Sequence, residues 1–450
     1  MRYILIILLL FIVNVSAQKT AATLKAAFDV NATAQATNKS IVELYYHGGD
    51  AYYNFRFGNG NLKVFQATGT FSYLDAALNH WLAYQNNAVL ASSLPDDVTF
   101  TYTQTEPRDS PEYWNDEYYT WESHGDGRVS TQGFTGKTGD NTQGGGEFSL
   151  YEGHGFNWVP QMLYVMFVNP SIRTTTNGAL PGATYQTQYD EILAFFQQNV
   201  WNKWESRRST FPNDDKYMFR SRTYISSHYA NIAFFLWKMT GTQKYKNFVD
   251  GWNYDPSLIP NNEPNGFRQQ LRTQSYSPYG TGYIWNSNWG SLTGASDVNH
   301  SMSEFRTIAN QMKHSGSYWD ATDKSRFLAN ARWAYANSND TFSVDWWDDT
   351  AGVDTGAPYI DNTYYGICEF GAFDETFQQE LEVHDLYSES NTGSDGWKKA
   401  HFLGALTYNR AYLDGTLVYP DYDAGQEPIT PPVANTAVGN LKKKANAITY

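Results

Sequence analysis

The chain is poor in cysteine, in charge and in long apolar runs. One cysteine in 450 residues, Cys368, excludes an internal disulfide, so stability must come from a large core. Asp, Glu, Lys and Arg make up only 17% of the residues and leave a net charge of −14, which argues against nucleic acid or an anionic membrane as partner. Beyond the first 17 residues no stretch is long and apolar enough for a membrane helix. H-E-x-x-H, C-x-x-C, EF-hand and G-x-S-x-G patterns are all missing, so a catalytic metal and an α/β-hydrolase triad have no support. GKTGD lacks the spacing of a phosphate loop. No cofactor is required. A structural calcium has one candidate, the acidic run Asp345–Thr350 with Asp354, which reads more simply as a solvated loop.

Residues 1–17 read as a signal peptide: Arg2, the apolar run from Ile4 to Val13, then the small-residue site at Val15-Ser16-Ala17. The expectation is a secreted, periplasmic or surface protein, monomeric, with one domain over 18–419. A Pro-rich tail follows over 420–450, where PDYDAGQEPITPPVAN precedes three lysines.

Aromatic residues are abundant, with 34 Tyr and 15 Trp. Together with Asn, Gly and Thr they suit a surface that stacks on sugar rings, and a packed aromatic core accounts for part of them. Helical periods run over about 73–91, 158–168, 186–206, 226–240, 243–252, 302–315, 323–338, 373–383 and 396–412. Gly-rich 46–70 reads as loop or short strands, 93–150 as a lid over the site, and 253–300 as a long connection. Many helices and weak strand signals give an all-α fold of helical hairpins closed as an (α/α) toroid, with long loops over a cleft.

The stretch RTYISSHYANIAFFLW, 222–237, places Tyr224, His228 and Asn231 at i, i+4 and i+7, with Arg222 just ahead. One helix face then carries a phenol, an imidazole and a carboxamide, which can move protons and hydrogen-bond an oxyanion. A helix beginning only at Ser226 would leave Tyr224 outside. His154 lies in a Gly-rich turn beside Glu152, and His124 in another, with Arg128 as a lid contact. Asn299 and His300 precede a helix that carries Arg306, and Ser301 with Glu304 forms a capping-box pattern.

Two chemistries fit such a cleft. β-Elimination on a uronate polymer needs the C6 carboxylate neutralised by Asn, His or Arg, a base for the C5 proton and an acid for the leaving oxygen. One Tyr can serve as both base and acid. Tyr283, then Tyr279, are the preferred tyrosines, near Arg272, with Trp285 adding aromatic surface. Hydrolysis would instead need a carboxylate pair from Glu147, Glu152, Asp297, Glu304, Glu369 and Asp374, whose spacings single out none. A glycan-binding protein without catalysis needs only the aromatic groove.

The segments HGDGRV, YEGHG, RTYISSHYANIAFFLWKMTG, YIWNSNWG and DVNHSMSEFRTIANQM, within about 120–315, resemble polysaccharide lyase family 38, the helical-toroid alginate and glucuronan lyases. The resemblance implies an (α/α)7 barrel, a Tyr acid/base and an anionic polysaccharide substrate such as mannuronate-rich alginate or glucuronan. It implies roles for His228, Arg222 and Tyr283, with His154 and His300 lining the cleft. Where the family has Asn-Asn-His this chain has Ser226-Ser227-His228, which passes carboxylate neutralisation to Asn231, Asn299 or His154.

Overall fold

The computed structural model describes residues 18–37, 48–93, 116–121, 147, 149–178, 182–207, 218, 222–254, 266–296, 300–314, 318–336, 366–383 and 396–422. The signal-peptide reading, most of the expected lid with His124 and Arg128, Asn299, and the acidic run 345–350 lie outside these residues.

The described chain is mostly helical. Its longer helices are α1 (Ala21–Thr37), α2 (Gly48–Thr68), α3 (Phe71–Asn87), α4 (Ser149–Phe156), α5 (Val159–Val168) and α6 (Tyr185–Phe196). A π turn at Gln197–Asn202 extends α6. Then come α7 (Thr223–Thr240), α8 (Gln243–Asn253), α9 (Met302–Met312), α10 (Ala321–Ala336), the 3-10 segment Cys368–Phe373, α11 (Glu375–Glu382) and α12 (Gly396–Leu413). Strands are few: β1 (Val89–Leu90) pairs with β2 (Tyr119–Thr120), and β3 (Arg272–Tyr276) forms an antiparallel hairpin with β4 (Gly280–Ile284). That hairpin occupies part of the long connection expected over 253–300.

The largest departure from the sequence reading is α2. Its run GGDAYYNFRFGNGN carries four glycines, which disfavour a helix, yet it is one helix of 21 residues. The later glycines are there for room. A Cβ on Gly60 would lie 2.5 Å from the Ala400 carbonyl oxygen, and one on Gly404 would lie 2.6 Å from the Gly60 carbonyl oxygen. The backbones of α2 and α12 therefore touch where they cross. Gly60→Ala must push two helix backbones apart. Overpacking costs of about 1–3 kcal/mol are expected to outweigh the helix-propensity gain, with a lower urea midpoint as the readout. A midpoint at or above that of the parent would contradict the crossing.

Consecutive elements contact one another in the order α2, α4 and α5, α7, α9, the 3-10 segment, α12, and α12 returns to α2. Each contributes a buried polar stripe among apolar neighbours. On α2 the stripe is Arg56, Asn59 and Lys63. Along α4, the turn after it and α5 it is His154, Asn157 and Gln161, on α7 His228 and Asn231, and on α9 and its C-cap Arg306, Asn310 and Lys313. These spacings of three, four and seven residues keep each stripe on one face. The stripes meet in three layers. His154 faces His228; Asn59 joins His401 and Arg306; Lys63 and Lys313 share Glu369. Residue number rises from the second layer to the third in both α2 (Asn59, Lys63) and the α9 segment (Arg306, Lys313), so these two run parallel.

The packed chain reaches past the expected boundary at 419. Asp421 is buried, accepting from Gln161 Nε2 (2.8 Å) and from the Tyr408 hydroxyl (2.6 Å). No helix among the described residues is long and apolar enough to cross a membrane.

Candidate functional site

The first layer holds the chemistry. His154 lies on α4, a helix where a turn was expected, and its flanking glycines serve packing. A Cβ on Gly153 would meet the Tyr229 ring at 2.8 Å, and one on Gly155 the Ala51 Cβ at 2.6 Å. The imidazole is thereby pressed between α2 and α7. Its ring centroid is 4.2 Å from Tyr52, 4.7 Å from Phe55 and 4.6 Å from His228. The guanidinium carbons of Arg56 and Arg306 lie 5.3 and 5.7 Å from the centroid of the same Phe55 ring.

α7 begins at Thr223, so Tyr224, His228 and Asn231 do share a helix. Asn157 Nδ2 and His228 Nδ1 are 2.9 Å apart; with the amide donating, the proton of neutral His228 sits on Nε2. Asn231 donates to the Asn157 carbonyl (3.1 Å) and accepts from Asn310 (3.0 Å). Arg306 donates to Asn59 Oδ1 (3.0 Å), which turns the Asn59 amide nitrogen toward His401 Nδ1 (2.8 Å). Tyr224 packs against His300, ring centroids 4.5 Å apart and planes tilted by 36°.

Electrostatically the layer is cationic, and it is buried. Burial pushes the His154 imidazole well below its ordinary range, and the nearby His228, Arg56, Arg306 and His300 push it the same way. His228 is lowered by burial and then by Arg306. Both rings are therefore neutral at pH 7. His80, beside α2, is lowered by burial to about 4. These shifts fix an acid limb. Folded-state pKa values below the unfolded 6.5 mean that the unfolded chain binds more protons as pH falls through 6.5. Each group then removes about 1.4 kcal/mol per pH unit, and the three together about 4. Urea midpoints should fall steeply from pH 6.5 to 5; a flat profile there would show the rings to be protonated in the fold.

Other expected residues lie elsewhere. Tyr283 is on β4, its hydroxyl donating to Asp323 and accepting from Arg326 Nη1 (3.1 Å). Burial and then Asp323 raise its pKa, which makes it a poorer acid. Tyr279 lies in the hairpin turn, 5.2 Å from the Arg332 guanidinium. Trp285 is fully buried against Phe267, Phe305 and Phe327, so it is core and not a sugar platform. Arg272 donates to the Gly294 carbonyl and Arg222 to Asn288. No described contact joins Tyr283, Tyr279, Arg272 or Arg222 to His154 or His228.

The described carboxylate candidates are mostly committed. Glu147 and Glu152 share Thr120 and Lys203, and Arg207 also holds Glu147. Glu369 is held by Lys63 and Lys313, and Asp374 caps α11 by accepting from the Phe377 N–H. Glu304 is the exception: Ser301 makes no side-chain cap, and the expected capping box is not formed. Among the described residues no group of three His, Cys, Asp or Glu could hold a metal ion.

No protein-family model, curated protein or solved structure matches the chain. What the site can do rests on its residues. Sequence reasoning reached His154, His228, Asn231, Tyr224, His300 and Arg306. It missed Tyr52, Arg56, Asn157, Asn59 and His401. The i, i+3, i+7 spacing of Arg56, Asn59 and Lys63 was the available signal, obscured by the glycines between them.

Proposed function

We propose that the protein is a polysaccharide lyase that cleaves a 1,4-linked uronate polymer, such as mannuronate-rich alginate or glucuronan, by β-elimination. The reading takes the fold as an (α/α) toroid and the protein as exported. The observation that carries it is the buried, cationic environment of His154 and His228, made by Arg56 and by Arg306 of the adjoining layer. Against a net charge of −14, such a local field suits a carboxylate on a neutral-walled sugar. The parallel run of α2 and α9, and the return of α12 to α2, support the toroid.

In this mechanism Arg306 and the Nε2–H of His228 take the C6 carboxylate. Its charge is neutralised and the C5 proton becomes acidic. Tyr224, one helical turn before His228 and packed against His300, takes over from Tyr283 as the acid/base that removes that proton and protonates the leaving oxygen. Tyr52 closes the opposite side of His154. The capture of Glu147, Glu152 and Glu369 by lysines and arginines counts against a carboxylate-pair hydrolase.

The test is ultraviolet absorbance of the C4–C5 double bond during separate incubations with polymannuronate, polyguluronate, glucuronan, ulvan and pectate. A rise with one polymer establishes elimination and names the substrate. New reducing ends without absorbance would replace the reading with hydrolysis, and binding without either product with a glycan-binding protein.

A further inference from the structure

Glu304 sits in the first turn of α9, fully buried, with no partner for Oε1 among the described residues. Its Oε2 lies 2.9 Å from Ser303 Oγ. That hydroxyl has two further oxygen neighbours, the carbonyls of Tyr224 and His300, each at 3.2 Å. Ser303 has one proton to give. If Glu304 were ionised, three acceptors would compete for it, and a buried carboxylate would be left half-satisfied. If Glu304 is protonated the chain closes: its O–H donates to Ser303 Oγ, and the Ser303 O–H donates to one of the two carbonyls. The other nearby hydroxyl, Thr223, also faces the carboxyl, as does the Glu304 N–H, but the Thr223 proton is contested too, with the Ser287 carbonyl 3.3 Å away.

We propose that Glu304 is a positioning residue. As a neutral acid it holds, through Ser303, the Tyr224–His300 pair against α9, and its ionisation releases that pair.

Burial is the chief reason the carboxyl is raised, to about 7, against the opposing pull of Thr223, Ser303 and His300. His300, just ahead of the helix, favours the ionised form, as do the Thr223 and Ser303 hydroxyls and the Glu304 N–H; the lost hydration of a fully buried carboxylate outweighs them. Ionisation therefore falls in the neutral range, where it can matter to the site. The consequence for turnover rests on the lyase reading; the protonation state and the hold on the pair do not.

The test uses the full chain and two isosteric or smaller variants, Glu304→Gln and Ser303→Ala. Difference infrared spectra from about pH 6 to about pH 8.5 should show a protonated-carboxyl band that disappears with rising pH and is absent in Glu304→Gln; this subtraction separates it from Glu152, whose pKa is also raised. Hydrogen exchange in the first turns of α7 and α9 should speed up above neutrality in the parent. It should stay constant with pH, beyond the intrinsic exchange rate, in Glu304→Gln, whose amide still donates to Ser303. Ser303→Ala should keep the band and lose the pH dependence of exchange. With an active polymer in hand, the parent rate should fall above pH 7, and this fall should vanish in Glu304→Gln. No band assignable to Glu304, or the same pH-dependent exchange in Glu304→Gln, overturns the inference even if the protein is a lyase. Failure of every polymer overturns the lyase reading and leaves the infrared and exchange results to decide this one.

Discussion

Glu369→Gln should destabilise the fold by about 3–5 kcal/mol, the usual consequence of leaving a buried charge without its partner. The Glu369 carboxylate accepts from Lys63 at 2.8 Å, lies 3.5 Å from Lys313, and has His401 Nε2 4.0 Å away, with the Lys63, Lys313 and Glu369 side chains out of solvent. Burial alone would raise its pKa, but the two ammonium groups hold it down at about 2. The amide keeps the volume and loses the charge, leaving Asp421 as the carboxylate facing both lysines. Lys63, already lowered to about 8 chiefly by burial, would then shed its proton near neutrality, which limits the loss. The sign with pH follows. Lys63 in the variant becomes neutral at a lower pH than in the parent, so the deficit should shrink as pH rises toward 8. Urea unfolding at pH 6 and pH 8 measures both. Adding Lys63→Met should recover much of the stability, because an apolar side chain needs no counter-charge. A single variant within 1 kcal/mol of the parent would show that the cluster is hydrated.

His228→Ala should lower kcat/KM on the polymer that the absorbance test identifies by about 10²–10³, the range seen when one preorganised oxyanion donor is removed. Asn157 holds the ring so that Nε2–H is free to donate, and burial, then the nearby Arg306, keeps the imidazole neutral. In the ground state the carboxylate carries one charge. As the C5 proton leaves, charge accumulates on the carboxylate oxygens and the donor gains strength, so the loss should fall mainly on kcat. Asn157→Ala, which frees the ring to adopt the other tautomer, should lose less and gain back some activity at low pH, where the imidazole is protonated on both nitrogens. Circular dichroism and the unfolding midpoint check that His228→Ala remains folded. A folded variant with a near-normal rate sinks the assignment.

The sequence made the helices legible where an apolar period runs unbroken. The expected 158–168, 243–252 and 396–412 lie within a residue or two of α5, α8 and α12. It failed at α2 because glycine lowers helix propensity locally, and the reason for glycine there is a helix more than 300 residues later. The capping box at Ser301 and Glu304 had the right letters. The carboxyl is instead buried beside the Ser303 hydroxyl, and Ser301 makes no cap. The site followed the same rule. Tyr224, His228 and Asn231 are a local pattern and were visible, as was His154. Asn157 and Arg56 have ordinary local surroundings and gain meaning only from His228 and His154 across the layer. Trp285 and Tyr283 misled because an aromatic-rich loop looks alike whether its rings line a groove or pack a core.

The crossing of α2 over α12 also orders events in time. Asn59 and His401 are 342 positions apart, and contacts this distant in sequence are slow to form. While the chain is being made, α2 has neither the carboxylate for Lys63 nor the backbone against which Gly60 fits. A glycine-rich segment of this kind is a poor helix by itself. The segment synthesised early is therefore completed late, and a ribosome that stops short of Gly396 releases a chain in which α2 has α3 and α4 to pack against but lacks the helix that its Gly60 face fits.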